Sequence, residues 1–211
     1  MEGVSIVESV LVGIFVVLMI LQLRDFISLL PYLFDSLFRA RGSVALDSSV
    51  PVSRIRNNIA LTLIIPVALL IYRYGLWAPS FLEEWSPSLQ LLTVAGAFFV
   101  YLLLRFFLYA SMKPRRRYDF YQISHRSVYT YFIIFCIFLF LPTYGILTVF
   151  NVPEALSRDI LLAESAFFYL VLLLRRAQIL SLSCNHLRTF LYLCGLEILP
   201  TAIWVVSAIV F

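Results

Sequence analysis

Leu187–Phe211 reads LRTFLYLCGLEILPTAIWVVSAIVF, with the carboxylate of Glu197 near its middle and Pro200 three residues later. The stretch exceeds the roughly 20 residues that cross a bilayer as a helix. A carboxylate at that depth is costly unless it is protonated, paired or hydrated. A proline there frees a carbonyl one turn back. If the stretch is a span, Glu197 must face a helical bundle or a cavity, and the rest of the chain must supply the surroundings.

The composition fits that demand. The chain has 211 residues, 62% of them hydrophobic and 13% charged, with a mean hydropathy of +0.96. Soluble domains are nearer 45–50% apolar and about 25% charged. Lipid is therefore the expected solvent. The net charge of +4 does not point to nucleic acid, because the cations punctuate apolar stretches as topology signals do.

Moving outward from the last stretch, hydrophobic windows fall at residues 155–174, 129–150, 88–112, 59–76 and 4–23. With 188–211 they make about six spans. The expected fold is all-α: one polytopic transmembrane helical bundle over residues 1–211. The first residues, MEGVSIVESVLVG, lack the basic start of a cleaved signal peptide, so the first window reads as a retained span. Phe26, Leu30, Leu33, Phe34, Leu37 and Phe38 recur at helical spacing among polar residues, predicting an interfacial helix over 26–40. Residues 41–58 read as a polar connector. Pro66 and Pro142 predict distorted helices, and Ser86-Pro87 a helix start. Asn151-Val152-Pro153-Glu154 reads as a turn that caps the next helix.

The charges are sided. Arg24, Arg39, Arg41, Arg54 and Arg56 follow the first window, and Lys113, Arg115, Arg116, Arg117 and Arg126 the third. Arg175, Arg176 and Arg188 follow the fifth. The other connections hold Arg73 and Arg158, offset by Glu83, Glu84, Glu154 and Asp159. The positive-inside rule places the basic connections in the cytoplasm and both termini in the periplasm. Trp77, Trp85 and Trp204 then fall near the outer boundary, where aromatic anchors gather. Lys113, Arg115, Arg116 and Arg117 form the densest cationic run, a candidate contact for anionic lipid headgroups. His125 reads as an ordinary interfacial or loop histidine.

Three ionisable residues fall inside apolar windows: Arg105, Glu164 and Glu197. At about 1.5 Å per residue, Arg105 and Glu197 lie within a few ångströms of each other in depth, whereas Glu164 lies in the other leaflet. An Arg105–Glu197 pair is therefore expected, with Glu164 apart from it. No HExxH, GxSxG or phosphate-binding glycine loop occurs, so no catalytic residue, metal ligand or cofactor is assigned. Cys136, Cys184 and Cys194 show no metal spacing.

Leu196-Glu197-Ile198-Leu199-Pro200 resembles the closing segment of an uncharacterised polytopic membrane family of Bacteroidota. That resemblance implies a bacterial inner-membrane setting and carries no activity with it. The leading functional expectation is a non-enzymatic structural or accessory subunit of a membrane assembly, with lipids and other membrane subunits as partners. The Ala95-Gly96-Ala97 patch and the 41–58 connector are its candidate contacts. A small proton-coupled transporter or channel component using the intramembrane glutamates is the first alternative, and an intramembrane enzyme the second.

Overall fold

The computed structural model describes residues 6–38, 46, 49–82, 85–111, 118–181 and 186–210. They form helices α1 (Ile6–Leu21), α2 (Leu23–Phe38), α3 (Val50–Arg73) and α4 (Pro87–Ser111). A short 3-10 turn at Ser80–Leu82 precedes α4. The chain continues through α5 (Tyr118–Ile134), a π segment π1 (Phe135–Phe140), α6 (Leu141–Val149) and α7 (Glu154–Ser181). It ends in α8 (His186–Leu193), a second π segment π2 (Cys194–Ile198) and α9 (Leu199–Val210). No strand occurs among the described residues. The protein is an all-α, multi-pass membrane bundle.

Four helical stretches are long and apolar enough to cross a bilayer: Val50–Arg73, Pro87–Ser111, Gln122–Val149 and Thr189–Ala208. With 16 residues, α1 reaches about 24 Å, short of a hydrocarbon core of about 30 Å. It meets α2 at a 73° bend, and the two qualify only when joined. Gln22 sits at that bend and donates its side-chain amide to Thr62 Oγ1 at 3.0 Å, tying the corner to α3. At 28 residues α7 is longer than any single span needs, but Arg158, Asp159, Glu164, Arg175 and Arg176 are spread along it. The expected six windows thus become four membrane-length helices, a bent pair and a charge-bearing α7.

The core lies where α3 meets α1, α2, α4 and α5, and where α7 meets α5, π1 and α6. Leu29 and Leu33 of α2, Ile59 and Leu63 of α3, Ile133 and Phe140 of α5 and π1, and Leu161 of α7 are all buried. As expected for an amphipathic helix, α2 turns Leu29, Leu33 and Ser36 inward, a stripe at i, i+4 and i+7.

Local chemistry sets the helix ends. Both α3 and α6 close in the same way. Gly75 (φ +56°) follows α3 and Asn151 (φ +49°) follows α6. Their amides bond Tyr72 O and Thr148 O, while the next amides, of Leu76 and Val152, reach back to Ile71 O and Leu147 O. This paired bonding ends helices on a left-handed residue. Asn151 therefore closes α6, where the sequence predicted a cap for the helix that follows. Ser86 and Pro87 start α4 as expected, with Leu89 and Gln90 amides bonding Ser86 O.

Other boundaries move. The predicted connector over 41–58 is already helix from Val50, so α3 gains two turns before the expected span. It also runs unbroken through Pro66. The fourth span begins well before residue 129, in α5, which places His125 in a helix instead of a loop. Lys113, Arg115, Arg116 and Arg117 lie outside the described residues.

The distortions expected from proline occur at Pro142 and Pro200 as π segments just ahead of each. Leu141 N–H bonds Cys136 O and Leu199 N–H bonds Cys194 O, a five-residue spacing. A proline gives no hydrogen bond to the carbonyl four residues back and crowds it. A wider turn relieves that crowding.

Candidate functional site

Glu197 sits in π2, buried beside an equally buried Leu196. Three helices converge on its carboxylate. From α4, Arg105 Nη2 donates to Glu197 Oε1 at 2.6 Å and to Oε2 at 2.8 Å. From α7, Arg176 forms an ion pair with Glu197 Oε1. Arg176 is itself buried, and its Nε donates to Ser124 Oγ of α5 at 3.3 Å. Ser124 O in turn accepts from Ser127 Oγ at 2.7 Å. The result is an arginine–glutamate–arginine cluster linking α4, α7 and π2, with α5 attached through Ser124.

An aromatic row lies beside the cluster. The Tyr109 ring of α4 stacks on His125 of α5, with centroids 3.6 Å apart and planes 13° apart. His125 meets Tyr129 edge-on at 6.2 Å. The Arg56 guanidinium of α3 lies 6.0 Å from the Tyr129 ring centre, within cation–π range. Arg56 is buried and bonds Asn57 Oδ1 through Nε and Nη2. Each of Arg56, Arg105, His125 and Arg176 stands within about two turns of the end of its own helix. Residues that read as boundary charges in the sequence form one buried polar level of the bundle.

The structure brings Arg105 and Glu197 together, and it keeps Glu164 apart. Glu164 precedes Arg176 by twelve residues, about 18 Å along α7. Its Oε1 accepts from Thr143 Oγ1 at 3.0 Å. Its Oε2 is buried with no hydrogen-bond partner among the described residues.

Sequence reasoning missed Arg56, Ser124, His125 and Arg176. Arg176 was read as an exit marker, yet Arg175 is the partner that turns outward. Arg175 donates to Leu37 O at 3.0 Å, capping the end of α2. A signal was present. Leu161, Phe168, Leu172, Arg176 and Ile179 lie on one helical stripe, as do Arg56, Ala60, Leu63, Val67 and Leu70. Extending each stripe past the assumed span end reaches the buried arginine.

A second feature lies between α4 and α9. Trp77 and Trp204 stack with centroids 4.9 Å apart, and Trp77 Nε1 donates to Ser207 Oγ at 3.0 Å. Tyr101 and Phe98 pack against Trp204. The Tyr101 hydroxyl lies 3.4 Å from Thr201 Oγ1. These rings border a groove of about 230 Å3 with Ala97, Val100 and Leu104 on one wall and Pro200 and Ile203 on the other. Among the described residues no three of His, Cys, Asp and Glu gather as metal ligands.

Compared with known protein families, characterised proteins and solved structures, the chain matches none of them. Any functional reading therefore has to rest on the geometry above.

Proposed function

We propose that this chain is a non-enzymatic structural or accessory subunit of a membrane protein assembly, in the inner membrane of a bacterium. The observation that carries this reading is the bareness of α4. Of its 25 residues only Leu91 and Val94 are fully buried, while Leu92, Phe99, Val100, Phe106 and Phe107 are exposed. A Cβ added at Gly96 would meet nothing within 4 Å, so a second helix has room to approach closely there. The cluster at Glu197 fits the same role. A carboxylate shared by two guanidiniums ties helices together and is poorly suited to taking up and releasing protons.

The test is affinity purification of the tagged chain from native membranes in mild detergent, followed by mass spectrometry of stoichiometric partners. A reproducible partner that is lost on Gly96→Leu supports the subunit reading. A chain that purifies alone, in native membranes and after cross-linking, overturns it.

A small proton-coupled transporter or channel component is the second reading, and Glu164 favours it. That carboxyl has a hydroxyl neighbour but no cation within ion-pair reach among the described residues. Proton flux into vesicles containing the purified chain, abolished by Glu164→Gln, would move the assignment there.

A further inference from the structure

We propose that the groove between α4 and α9 holds one acyl chain of an anionic phospholipid, whose phosphate is met by Arg105. Three observations converge on this occupant.

The first is the guanidinium of Arg105. Its Nη2 makes both bonds to Glu197, and its Nε and Nη1 bond nothing among the described residues. The side chain is 14% exposed, in contrast to its counterpart Arg176, which is buried. An accessible, undonated N–H on a membrane helix needs an acceptor that reaches it from outside the chain. Arg105 lies six residues before the end of α4 at Ser111, about 9 Å along the helix. That is within the reach of a long side chain stretching to headgroup phosphates. A phosphodiester matches the planar fork of a guanidinium.

The second is the line of the groove. Tyr101 borders it, and Arg105 stands one turn further along the same face of α4. On the other wall Pro200 borders the groove, and Glu197 stands three residues before it. The groove therefore runs from the ion pair toward the middle of the span, as a phospholipid chain runs from its headgroup. The third is its lining. Ala97, Val100, Leu104, Pro200 and Ile203 are apolar, and the groove of about 230 Å3 opens to one side. Its polar neighbours are already used, Ser207 by Trp77 and Thr201 by Tyr101. An aliphatic chain suits such walls, and a polar solute does not.

The test uses the tryptophans that border the groove. The full-length chain carrying Trp85→Phe, so that emission comes from Trp77 and Trp204, is placed in phosphatidylcholine vesicles. Either phosphatidylglycerol or phosphatidylcholine with brominated chains is then titrated in. Bromine quenches indole emission on contact. The expected result is half-quenching at about fivefold lower mole fraction of the anionic lipid, the advantage of one cation near a headgroup. Arg105→Gln, which leaves the Arg176–Glu197 pair intact, should erase that preference while quenching persists. Ala97→Phe, which fills the groove without touching the ion pairs, should reduce quenching by both lipids. Equal midpoints for the two lipids in the parent chain would overturn the proposal. So would quenching unchanged by Ala97→Phe, or no quenching at all, the result expected where a protein helix covers the groove.

Discussion

Glu197 and Glu164 stand in similar local settings and meet opposite fates. Each lies beside a helix loosened ahead of a proline: Glu197 within π2 before Pro200, and Glu164 against Thr143, which follows π1 and Pro142. Glu197 is bonded by two arginines from two different helices. Glu164 has one hydroxyl donor and a second oxygen without a partner among the described residues. The loosened helix does not decide what a buried carboxylate does. The neighbouring helices decide, by whether they bring a cation to the same level.

The largest effect expected from this contrast is at Glu197 itself. Glu197→Ala leaves two guanidiniums without their shared acceptor, one of them buried. Breaking a buried ion pair by removing one partner typically costs about 3–5 kcal/mol. Thermal unfolding in mild detergent should show a loss of that order. A change below about 1 kcal/mol, the scale of an exposed pair, would mean that the three-helix tie contributes little.

A smaller difference separates the two arginines. Arg176 is buried and also bonds Ser124, whereas Arg105 is partly exposed. Arg176→Met should therefore destabilise more than Arg105→Met. Because both act on one carboxylate, the double variant should depart from the sum of the singles by about 0.5–3 kcal/mol. Additive losses in the same unfolding assay would show that the two pairs are independent, and the contrast with Glu164 would then concern burial alone.

How far the sequence foretold this contrast depends on the residue. Arg105 and Glu197 were legible because each interrupts an apolar window, and helical rise places them at one depth. The separation of Glu164 was legible for the same reason. Arg56 and Arg176 were not, because each sits beside another arginine at a span boundary, where topology explains cations without any further role. Only the helix lengths distinguish them: α3 starts two turns early and α7 ends two turns late, so one arginine of each pair is carried onto the inward stripe. The bend between α1 and α2 was half visible. Hydropathy marked one span and one amphipathic helix, but the corner at Gln22 depends on a bond to Thr62, forty residues away.

The prolines sharpen the comparison next. Replacing either by alanine restores an amide donor and favours an ordinary α-turn. Losing the extra residue of a π turn rotates one side of the helix against the other by about 100°. At Pro200 that rotation would prevent Glu197 from meeting the arginines while Ile203 and Trp204 still face α4. At Pro142 it would disturb only a single hydroxyl contact to Glu164. Pro200→Ala should therefore be less stable than Pro142→Ala by about 1–2 kcal/mol, part of the cost of a broken buried pair. Equal stabilities would mean that the π turn does not aim Glu197.

The smallest effect belongs to Glu164. Glu164→Gln keeps an oxygen that can accept from Thr143 Oγ1, and it exchanges an oxygen lacking a partner among the described residues for an amide nitrogen in the same place. It also removes the possibility of a buried negative charge without a nearby cation, a state that costs free energy in an apolar setting. The two changes oppose each other, so the unfolding free energy should move by less than about 1 kcal/mol, within the span of one neutral hydrogen bond. Glu197→Gln should lose considerably more, because its amide presents one oxygen and no charge to two guanidiniums. If the two glutamine variants prove equally damaging, Glu164 has a cationic partner beyond the described residues, and both carboxylates serve as ties. If Glu164→Gln is silent in stability yet abolishes proton flux, the difference between the two sites is one of function: the paired glutamate holds the bundle and the unpaired one exchanges the proton.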